Sequence, residues 1–358
     1  MEDLDLMPTA AFWRGRRVLL TGHTGFKGAW LAQWLIMLGA KVTGIALPPD
    51  TSPNLFAAAR LQELLTSHLC DLRDAATLRA LVAASEPEIV FHLAAQALVR
   101  RSYREPVNTF DTNVMGTVHL LEALRYTPSV QAAVVVTSDK VYRNDAVRHA
   151  PFKETDPLGG HDPYSASKAA CEIVVASYRD SFLREQGVAV ATARAGNVIG
   201  GGDWAEDRLI PDAIKAWLAG DALKIRKPEA LRPWQHVLEP ARGYLLLAEQ
   251  IAARPGLVGA YNFGPVAEQA ASVRTVVDLA VAAYQKGEVL YAEDVSDPHE
   301  AQWLALDPTR ARLELGLEAR WPLKQAIDRT IGWYRAYAEG RCARALCESD
   351  LLAYGAVR

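Results

Sequence analysis

Uninterrupted apolar runs alternate with longer helical patterns from Arg17 to Ala193. Neighbouring positions within each run are apolar, as in strands that are buried on both faces of a parallel sheet. Between the runs, apolar residues recur every three or four positions, as in helices that cover a sheet. The predicted strands are RRVLL, KVTGIA, EIVFHLA, AAVVVT and VAVATA, and the predicted helices are FKGAWLAQWLIML, TLRALVAA, Met115 to Leu124 and Tyr164 to Leu183. The pattern predicts an α/β fold with a doubly wound parallel sheet of the Rossmann type.

The regularity loosens after Asn197, where segments rich in Gly, Pro, Trp and charge separate a few helices. These segments are GGGDW, RKPEALRPWQHV and VSDPHEAQW, and the helices are Ala241 to Ile251 and Val273 to Ala283. We interpret them as insertions that build a smaller C-terminal substrate-binding lobe. The predicted division places 1–196 with 236–265 in the Rossmann domain, and 197–235 with 266–358 in the smaller lobe and the C-terminal helices.

The composition is that of an ordinary globular protein, and it narrows the range of partners. Of 358 residues, 50% are apolar and 23% are charged, which excludes a disordered or collagen-like chain. The formal net charge is -3, so no basic surface for nucleic acid or acidic membranes is expected. The acidic N-terminal segment has no apolar core, and no apolar run approaches the ~20 residues of a membrane span. We therefore expect a cytoplasmic protein whose partners are small molecules and further copies of itself.

The cysteines do not indicate a metal or disulfide framework. Cys70, Cys171, Cys342 and Cys347 form neither a C-x-x-C pair nor a zinc spacing, and they are too few to cross-link a chain of this length. We expect free thiols and no metal site.

A glycine-rich turn joins the first predicted strand to the first long helix. In LLTGHTGFKGAWLAQWL, the glycines Gly22, Gly25 and Gly28 recur at every third position. A turn without Cβ atoms brings backbone amides and the positive end of a helix to a pyrophosphate. A glycine triplet alone also suits a tight turn that only packs on the sheet. The strand before it and the amphipathic helix after it favour a dinucleotide site.

The usual residue for the adenosine ribose is missing. The second strand ends in GIALPPD, where only Asp50 lies near, and no arginine stands there for the 2′-phosphate of NADP. Asp71 lies in CDLRD, where a third strand between KVTGIA and EIVFHLA ends. It either accepts a hydrogen bond from the adenine amine or belongs to the N-cap region of the next helix, for which Asp74 is the better cap. His92, in the fourth strand, is expected to be a hydrogen-bonded core histidine.

Ionisable groups follow the fifth strand and open a later helix. The polar triad Ser138 to Lys140 ends the buried strand, and Tyr164 and Lys168 stand one helical turn apart in DPYSASKAACE. An isolated pair of this kind usually lies along a helix surface. Here it follows a nucleotide-type turn, and an ammonium about 4 Å from a phenol lowers the phenol pKa by roughly three units at an effective dielectric near 20. We therefore expect a proton relay.

Together these segments resemble the extended short-chain dehydrogenase/reductase family that acts on nucleotide sugars, and within it the CDP-D-glucose 4,6-dehydratases. The motifs are TGHTGFKG, HLAAQ, TSDKVY, YSASK, RAGNVIGGGD, DRLIPD, RPWQHVLEP, YNFGP and DPHEA, so the resemblance covers nearly the whole chain. It implies a lyase with NAD as cofactor that converts CDP-D-glucose to CDP-4-keto-6-deoxy-D-glucose for deoxysugar and surface polysaccharide biosynthesis. It also implies a homodimer or homotetramer. Helices 114–124 and 164–183 carry apolar residues beyond one core-facing stripe, and such helices pair as a four-helix bundle in the family.

The resemblance implies a role for each candidate site residue. Tyr164 deprotonates the sugar 4-hydroxyl with help from Lys168, and Ser138 hydrogen-bonds the same oxygen. Asp139 is the acid at the carbon 6 hydroxyl, and Lys140 is the base at carbon 5 or stabilises the enolate. The cofactor residues are Gly22, Thr24, Gly25, Phe26, Lys27, Gly28, Asp71, Leu72, Leu93, Ala94, Ala95, Tyr164 and Lys168, and the substrate residues are Gln96, Asn197, Arg208, Arg232, Gln235, His299 and Glu300.

Other functions remain open at this point. A nucleotide-sugar 4-epimerase shares the glycine turn, the tyrosine and the lysine, but it has no need of Asp139 and Lys140. A dinucleotide-sensing regulator on this fold would typically lose the proton relay, which is intact here. The nucleotide base is also open, so a 4,6-dehydratase for another nucleotide sugar stays an alternative. For Arg208 and Glu300, a solvated salt bridge is as good an interpretation as a substrate contact.

Overall fold

A computed structural model describes residues 6–144, 150–291 and 303–356. Seven parallel strands form one sheet in the order β3-β2-β1-β4-β5-β6-β11. The strands are β1 (Arg17–Thr21), β2 (Lys41–Ala46), β3 (Thr66–Leu69), β4 (Ile89–His92), β5 (Ala132–Val136), β6 (Ala189–Ala195), β7 (Val198–Ile199), β8 (Leu223–Ile225), β9 (Leu231–Arg232), β10 (Gln235–His236), β11 (Gly259–Phe263), β12 (Ala271–Ser272) and β13 (Val289–Tyr291). The predicted doubly wound Rossmann sheet is confirmed.

Helices pack on both faces of the sheet. The α-helices are α1 (Ala10–Trp13), α2 (Phe26–Met37), α3 (Leu55–Ala58), α4 (Ala75–Ser85), α5 (Val99–Arg104), α6 (Pro106–Phe110), α7 (Gly116–Leu124), α8 (Pro163–Tyr178), α9 (Leu209–Ala219), α10 (Leu238–Ala253), α11 (Val273–Tyr284), α12 (Thr309–Leu315), α13 (Leu323–Ala338) and α14 (Ala343–Tyr354). The 3₁₀ turns are Leu61–Glu63, Asp139–Val141, Pro255–Leu257 and Ala267–Gln269, and the π-helical turns are Asp111–Met115 and Arg179–Leu183.

Successive side chains of the central strands enter two different hydrophobic cores. In β1, Leu20 packs into one core and Leu19 into the other. In β5, Val134 and Val135 divide in the same way. A strand buried on both faces admits few polar side chains before it leaves the sheet. Most polar residues are therefore found where the strands end.

Three elements differ from the sequence prediction. The third strand, β3, reads TSHL and lies at the edge of the sheet, where partial exposure removes the need for an apolar run. The helix predicted from Met115 is α-helical from Gly116, and the helix predicted to end at Leu183 is α-helical only to Tyr178. In both cases a π-helical turn takes up the difference. Apolar periodicity is too coarse to distinguish such a turn from an α-helix.

Small sheets and C-terminal helices complete the chain. Three two-stranded sheets form outside the main sheet, and they pair β7 with β10, β8 with β13 and β9 with β12. The last helix, α14, packs on α2, where the rings of Trp34 and Tyr354 have centroids 5.8 Å apart. Gln33 Nε2 also donates to the Arg344 carbonyl at 3.0 Å. The division of the chain into two units at the boundaries given above stays a prediction.

Two further expectations concern the thiols and the membrane. All four cysteines are free thiols, as predicted. Among the helices of the described ranges, none is long and apolar enough to span a bilayer.

Candidate active site

A cleft of about 1260 Å³ opens at the carboxyl ends of the sheet strands. The turn after β1, the ends of β4, β5 and β6 and the segment before α9 line it. Open α/β sheets bind ligands at this edge, where the strand order reverses. Here the order reverses between β1 and β4. The predicted cofactor residues and the predicted catalytic residues therefore line one continuous cleft.

Two of the three glycines in the turn after β1 are required by the chain itself. Gly22 has φ +77°, and a Cβ there would lie 2.6 Å from the backbone nitrogen of Ala94. A Cβ on Gly28 would lie 2.0 Å from the Gly22 carbonyl oxygen. Gly25 differs, because its Cβ would meet the same oxygen at an ordinary 3.4 Å. The missing side chain of Gly25 leaves space for a ligand, as a bound pyrophosphate requires.

The start of α2 presents hydrogen-bond donors to that space. Gly25 is the N-cap residue, and within the described structure it gives the first helical amides no side-chain partner. Thr24 Oγ1 donates to the Leu47 carbonyl at 2.8 Å and ties the turn to the chain after β2. Lys27 lines the cleft, and burial lowers its pKa to about 8. The helix N-terminus and this lysine fit an anionic pyrophosphate.

The far end of the cleft, beside β2 and β3, contains the candidate adenine residues. Asp74 accepts a hydrogen bond from a backbone amide of α4 at 3.1 Å, so its predicted role as N-cap is confirmed. Asp71 lines the cleft, and its carboxylate accepts hydrogen bonds from the Arg73 guanidinium, which lower its pKa. Leu47 directly follows β2, at the place where related folds carry the ribose-binding acid. Leu72, Leu93, Ala94 and Ala95 line the cleft as predicted.

The predicted catalytic groups meet at the end of β5. The Ser138 hydroxyl accepts a hydrogen bond from the Lys140 amide at 3.2 Å, and it interacts with the Tyr164 phenol. Lys168 Nζ donates to the Val136 carbonyl at 3.1 Å. Helix α8 therefore holds the tyrosine and the lysine against the strand end, as their spacing of one helical turn predicts.

Asp139 has the least satisfied carboxylate of this group. It is 3% exposed, and its Oδ1 accepts a hydrogen bond from Ser138 Oγ at 3.1 Å. Its Oδ2 is buried without a hydrogen-bond partner among the residues that the structure describes. Burial raises the Asp139 pKa. A buried carboxyl group of this kind retains its proton toward neutral pH and suits a general acid that acts on a ligand in the cleft.

Tyr164 differs from the expected state. Burial raises its pKa to about 12, although the hydrogen bond from Ser138 and the charge of Arg208 act in the opposite direction. Lys168 is buried too, and burial lowers its own pKa. The cleft without ligands therefore holds a neutral phenol, because desolvation outweighs the field of its neighbours. Further positive charge is required before Tyr164 can act as a base near neutral pH.

The predicted substrate residues fall into two groups by position. Asn197, Arg208 and Arg232 line the same cleft as the glycine turn. His299 and Glu300 lie outside the described residues, so their predicted substrate contacts stay predictions. An arginine guanidinium can bind a diphosphate with two parallel hydrogen bonds, so Arg208 and Arg232 are suited to a diphosphate in the cleft.

Comparison with known proteins agrees with this geometry. A family model for GDP-mannose 4,6 dehydratase matches residues 19–330. The chain belongs to this family. It is 45% identical over 335 residues to the CDP-glucose 4,6-dehydratase of Salmonella typhimurium, which covers 92% of this chain and 93% of that protein. It is 34% identical over 279 residues to the dTDP-glucose 4,6-dehydratase of Streptomyces antibioticus, with 74% and 75% covered.

A solved structure shares the fold of this dehydratase-family chain. The UDP-glucose 4-epimerase of Thermus thermophilus, in complex with NAD, superimposes with a TM-score of 0.78 at 25% identity, over 89% of this chain and 99% of that one. The resemblance predicted from the sequence motifs is therefore confirmed at the level of both family and fold.

Two glutamines of this dehydratase-family chain have other tasks than the predicted ones. Gln96 lines the cleft, but its amide donates to Thr109 Oγ1 at 2.9 Å and to the Leu98 carbonyl at 3.1 Å, so it holds its own loop. Gln235 is absent from the cleft lining within the described structure, and its amide donates to the Phe263 carbonyl at 2.9 Å. Direct substrate contact does not fit the position of Gln235, because a buried hydrogen bond uses its amide.

A buried ion pair beneath the site was missed by the sequence prediction. Arg194 Nη2 and Glu172 Oε2 are 2.8 Å apart, and both side chains are 4% exposed. Tyr142 donates to Asn262 Oδ1 at 2.6 Å and accepts from Arg194 at 2.9 Å. The core histidine His92 is hydrogen-bonded on both ring nitrogens, as predicted. The arginine within the apolar strand β6 and the glutamate within α8 were the available signals for the ion pair.

Proposed function

We propose that the protein is an NAD-dependent nucleotide-sugar 4,6-dehydratase that acts on CDP-D-glucose. The observation that carries the proposal is the buried Asp139, which has an unpartnered oxygen among the described residues and lines the same cleft as Tyr164 and Lys168. Elimination of water needs such an acid, whereas a 4-epimerase needs only the tyrosine and the lysine. The 45% identity to a CDP-glucose 4,6-dehydratase supports the cytidine nucleotide. The product would serve deoxysugar and surface polysaccharide biosynthesis.

NAD fits the half of the cleft around the glycine turn. The space beside Gly25, the N-terminus of α2 and the charge of Lys27 suit its pyrophosphate. The small side chains of Ala94 and Ala95 at the end of β4 leave room for a ribose. The chemistry that bound NAD would supply is acceptance of the hydride from carbon 4 of the sugar and its later return to carbon 6.

The residues of the chain supply the proton transfers. Tyr164 takes the proton of the sugar 4-hydroxyl, while Ser138 hydrogen-bonds that oxygen as it becomes a carbonyl. Lys168 stabilises the phenolate form of Tyr164 that accepts this proton. Asp139 gives its proton to the carbon 6 hydroxyl, which leaves as water, and Lys140 takes the carbon 5 proton or stabilises the enolate. A proton returns to carbon 5 when the hydride is added to carbon 6. The raised pKa of Asp139 suits this role, since an acid must hold its proton until it is needed.

The far side of the cleft would hold the nucleotide sugar. Arg208, Arg232 and Asn197 line the cleft; the two arginines would bind the diphosphate and Asn197 the sugar. These residues belong to the smaller lobe, 197–235 with 266–358, which we infer to be the substrate-binding unit. The Rossmann unit, 1–196 with 236–265, would then hold the cofactor.

The direct test is incubation with CDP-, dTDP-, UDP- and GDP-sugars in the presence of NAD. A 4-keto-6-deoxy product is expected, and it should form fastest with CDP-D-glucose. Tyr164→Phe is the matched control, because it removes one hydroxyl and should abolish product formation. A faster reaction with another nucleotide would overturn the choice of cytidine. A 4-epimer without loss of water would overturn the dehydratase.

We also infer a homodimer, or a homotetramer built from dimers. Helices α6, α7 and α8 pack side by side. They leave large apolar side chains exposed, among them Val107 (79%) and Ile173 (63%). Clustered exposed apolar residues mark interaction surfaces, and a two-fold axis through two such helices would form the four-helix bundle expected from the sequence.

The assembly is tested by light scattering at micromolar concentration. A dimeric or tetrameric mass is expected for the wild type, and a monomeric mass would exclude the proposed assembly. Ile173→Lys should shift the mass toward the monomer. Leu313→Lys is the control, because Leu313 is 68% exposed on α12, outside the proposed interface, and its replacement should leave the mass unchanged.

A further inference from the structure

Helix α8 presents three polar residues to the end of β5, at successive turns of one helix face. Lys168 Nζ donates to the Val136 carbonyl at 3.1 Å. One turn later, the Glu172 carboxylate accepts from Thr137 Oγ1 at 2.5 Å. One turn earlier, Tyr164 interacts with Ser138. The helix therefore contacts Val136, the last residue of β5, and the two residues that follow it, just before Asp139.

The Glu172 carboxylate is fully engaged. Its Oε1 accepts from Thr137 and from Arg194 Nε, the latter at 3.0 Å. Its Oε2 accepts from Thr192 Oγ1 at 2.7 Å and from Arg194 Nη2 at 2.8 Å. Arg194 and Thr192 lie on β6, the strand next to β5. One carboxylate thus joins α8 to two adjacent strands, with its charge balanced and its oxygens satisfied.

We propose that Glu172 is a positioning residue for the reaction. Its hydrogen bond with Thr137 fixes the register between the helix that carries Tyr164 and Lys168 and the strand end that carries Ser138 and Asp139. The inference rests on the proposed function, because a dehydratase must bring its base and its acid to one sugar ring in the same site. A misplacement of about 1 Å far from the chemistry can cost about a hundredfold in rate.

A purely structural role for the ion pair makes a different prediction, and two threonines distinguish the roles. Thr137 and Thr192 each donate one hydrogen bond to a different oxygen of Glu172, and both are buried. Thr192 lies on β6, and Thr137 directly follows the adjacent strand β5. Only Thr137 is directly linked to Ser138. Valine replaces threonine with nearly the same shape, so each valine variant removes one equivalent hydrogen bond while the ion pair remains.

The experiment compares Thr137→Val with Thr192→Val, using the nucleotide sugar that the wild type converts fastest. Both variants should lower the melting temperature by similar amounts. Thr137→Val should lower kcat at least about tenfold with little change in KM, and Thr192→Val should keep kcat within about twofold of the wild type. Thr137→Ser, which keeps the hydroxyl, should recover most of the lost kcat.

Each other outcome has a distinct meaning. Equal losses of kcat in the two valine variants, or full activity of Thr137→Val, would overturn the positioning role. A kcat of Thr137→Ser as low as that of Thr137→Val would also overturn it, because the methyl group and not the hydrogen bond would then matter. If Thr137→Val does not fold, Thr137→Ala is compared with Thr192→Ala by the same criteria, because alanine also removes one hydroxyl at each position. A wild type without 4-keto product from any nucleotide sugar would instead refute the proposed function.

Discussion

The two halves of the cleft handle their ligands by different means. Around the glycine turn, the chain presents backbone: Gly22 and Gly28 let strand and helix meet, and Gly25 leaves space beside the helix N-terminus. At the end of β5, it presents buried ionisable side chains, among them Asp139 and Tyr164. The second half holds an unpartnered carboxylate oxygen and a desolvated phenol.

This difference shows where folding and function conflict. Buried polar groups without partners cost stability, so they persist where the chemistry requires them. Substitutions at the catalytic half should therefore change the reaction more than the stability. Substitutions at the glycine turn should change stability or cofactor affinity, depending on which glycine is replaced.

The largest expected effect is on the elimination step. Asp139→Asn cannot donate the proton that the carbon 6 hydroxyl needs, so turnover should fall by about 10² to 10⁴. The variant should still oxidise carbon 4 and exchange the carbon 5 proton with solvent deuterium. Lys140→Met should oxidise carbon 4 without that exchange. Mass spectrometry of the recovered sugar and the absorbance of reduced NAD measure the two steps separately.

The two variants control each other, because each should block a different step. If Lys140→Met exchanges the carbon 5 proton at the wild-type rate, the base lies elsewhere and Lys140 only contributes charge. If Asp139→Asn releases water normally, another group is the acid. Either result would weaken the contrast between the two halves of the cleft.

The glycine turn offers the next test. Gly28→Ala places a Cβ 2.0 Å from a backbone oxygen, so the free energy of unfolding should fall by about 3 kcal/mol or more. Gly25→Ala is the matched control, because it has ordinary contacts and a negative φ of -79°. Its stability should change by less than about 0.5 kcal/mol, while NAD affinity falls. Urea unfolding and calorimetric titration with NAD measure the two effects. Equal unfolding energies for the two variants would contradict the distinction.

The halves also differed in how far the sequence predicted them. The glycine turn was predictable because its geometry depends on residues close together in the chain, and Gly22, Gly25 and Gly28 show their spacing directly. The parallel sheet was predictable from the apolar runs of its central strands, since a strand buried on both faces admits few polar residues. Local signals of this kind survive without knowledge of the tertiary structure.

The catalytic half was predictable only in part. The order of motifs along a doubly wound sheet indicated that Tyr164 and the end of β5 would meet. The raised pKa of Tyr164 was not foreseen, because desolvation depends on every element that covers the phenol. The hydrogen bond of Gln235 and the pairing of Glu172 were missed for the same reason, since their partners are distant in sequence.

A pH series sharpens the contrast from the catalytic side. Burial raises the Asp139 pKa, so the folded protein binds this proton more tightly than the unfolded chain does. The contribution of this group to stability is therefore lost as pH rises from the unfolded pKa toward the folded one. Asp139→Asn removes the effect, so its melting temperature should gain on that of the wild type across this window. If the difference between the two melting temperatures stays constant as the pH changes, the pKa of Asp139 is not raised in the folded protein.

The smallest expected effect concerns how tightly the glycine half holds NAD. The residue after β2 is Leu47, which lines the cleft and is 51% exposed, where an acid would bind the adenosine ribose. The nearby Asp50 pairs with Arg101 at 3.4 Å. A missing hydrogen bond of about 0.5 to 1.5 kcal/mol corresponds to roughly two- to tenfold weaker binding. Purified protein should therefore gain activity when NAD is added.

Restoring the acid tests that reasoning on the same protein. Leu47→Asp should tighten NAD binding by that factor and reduce the gain from added NAD, as measured by calorimetric titration. Leu47→Asn is the control, because it has nearly the same shape without the charge, and it should recover less of the affinity. If purified wild type is already saturated and gains nothing from NAD, backbone contacts at the glycine turn suffice. The cofactor half would then depend on side chains even less than its contrast with the catalytic half implies.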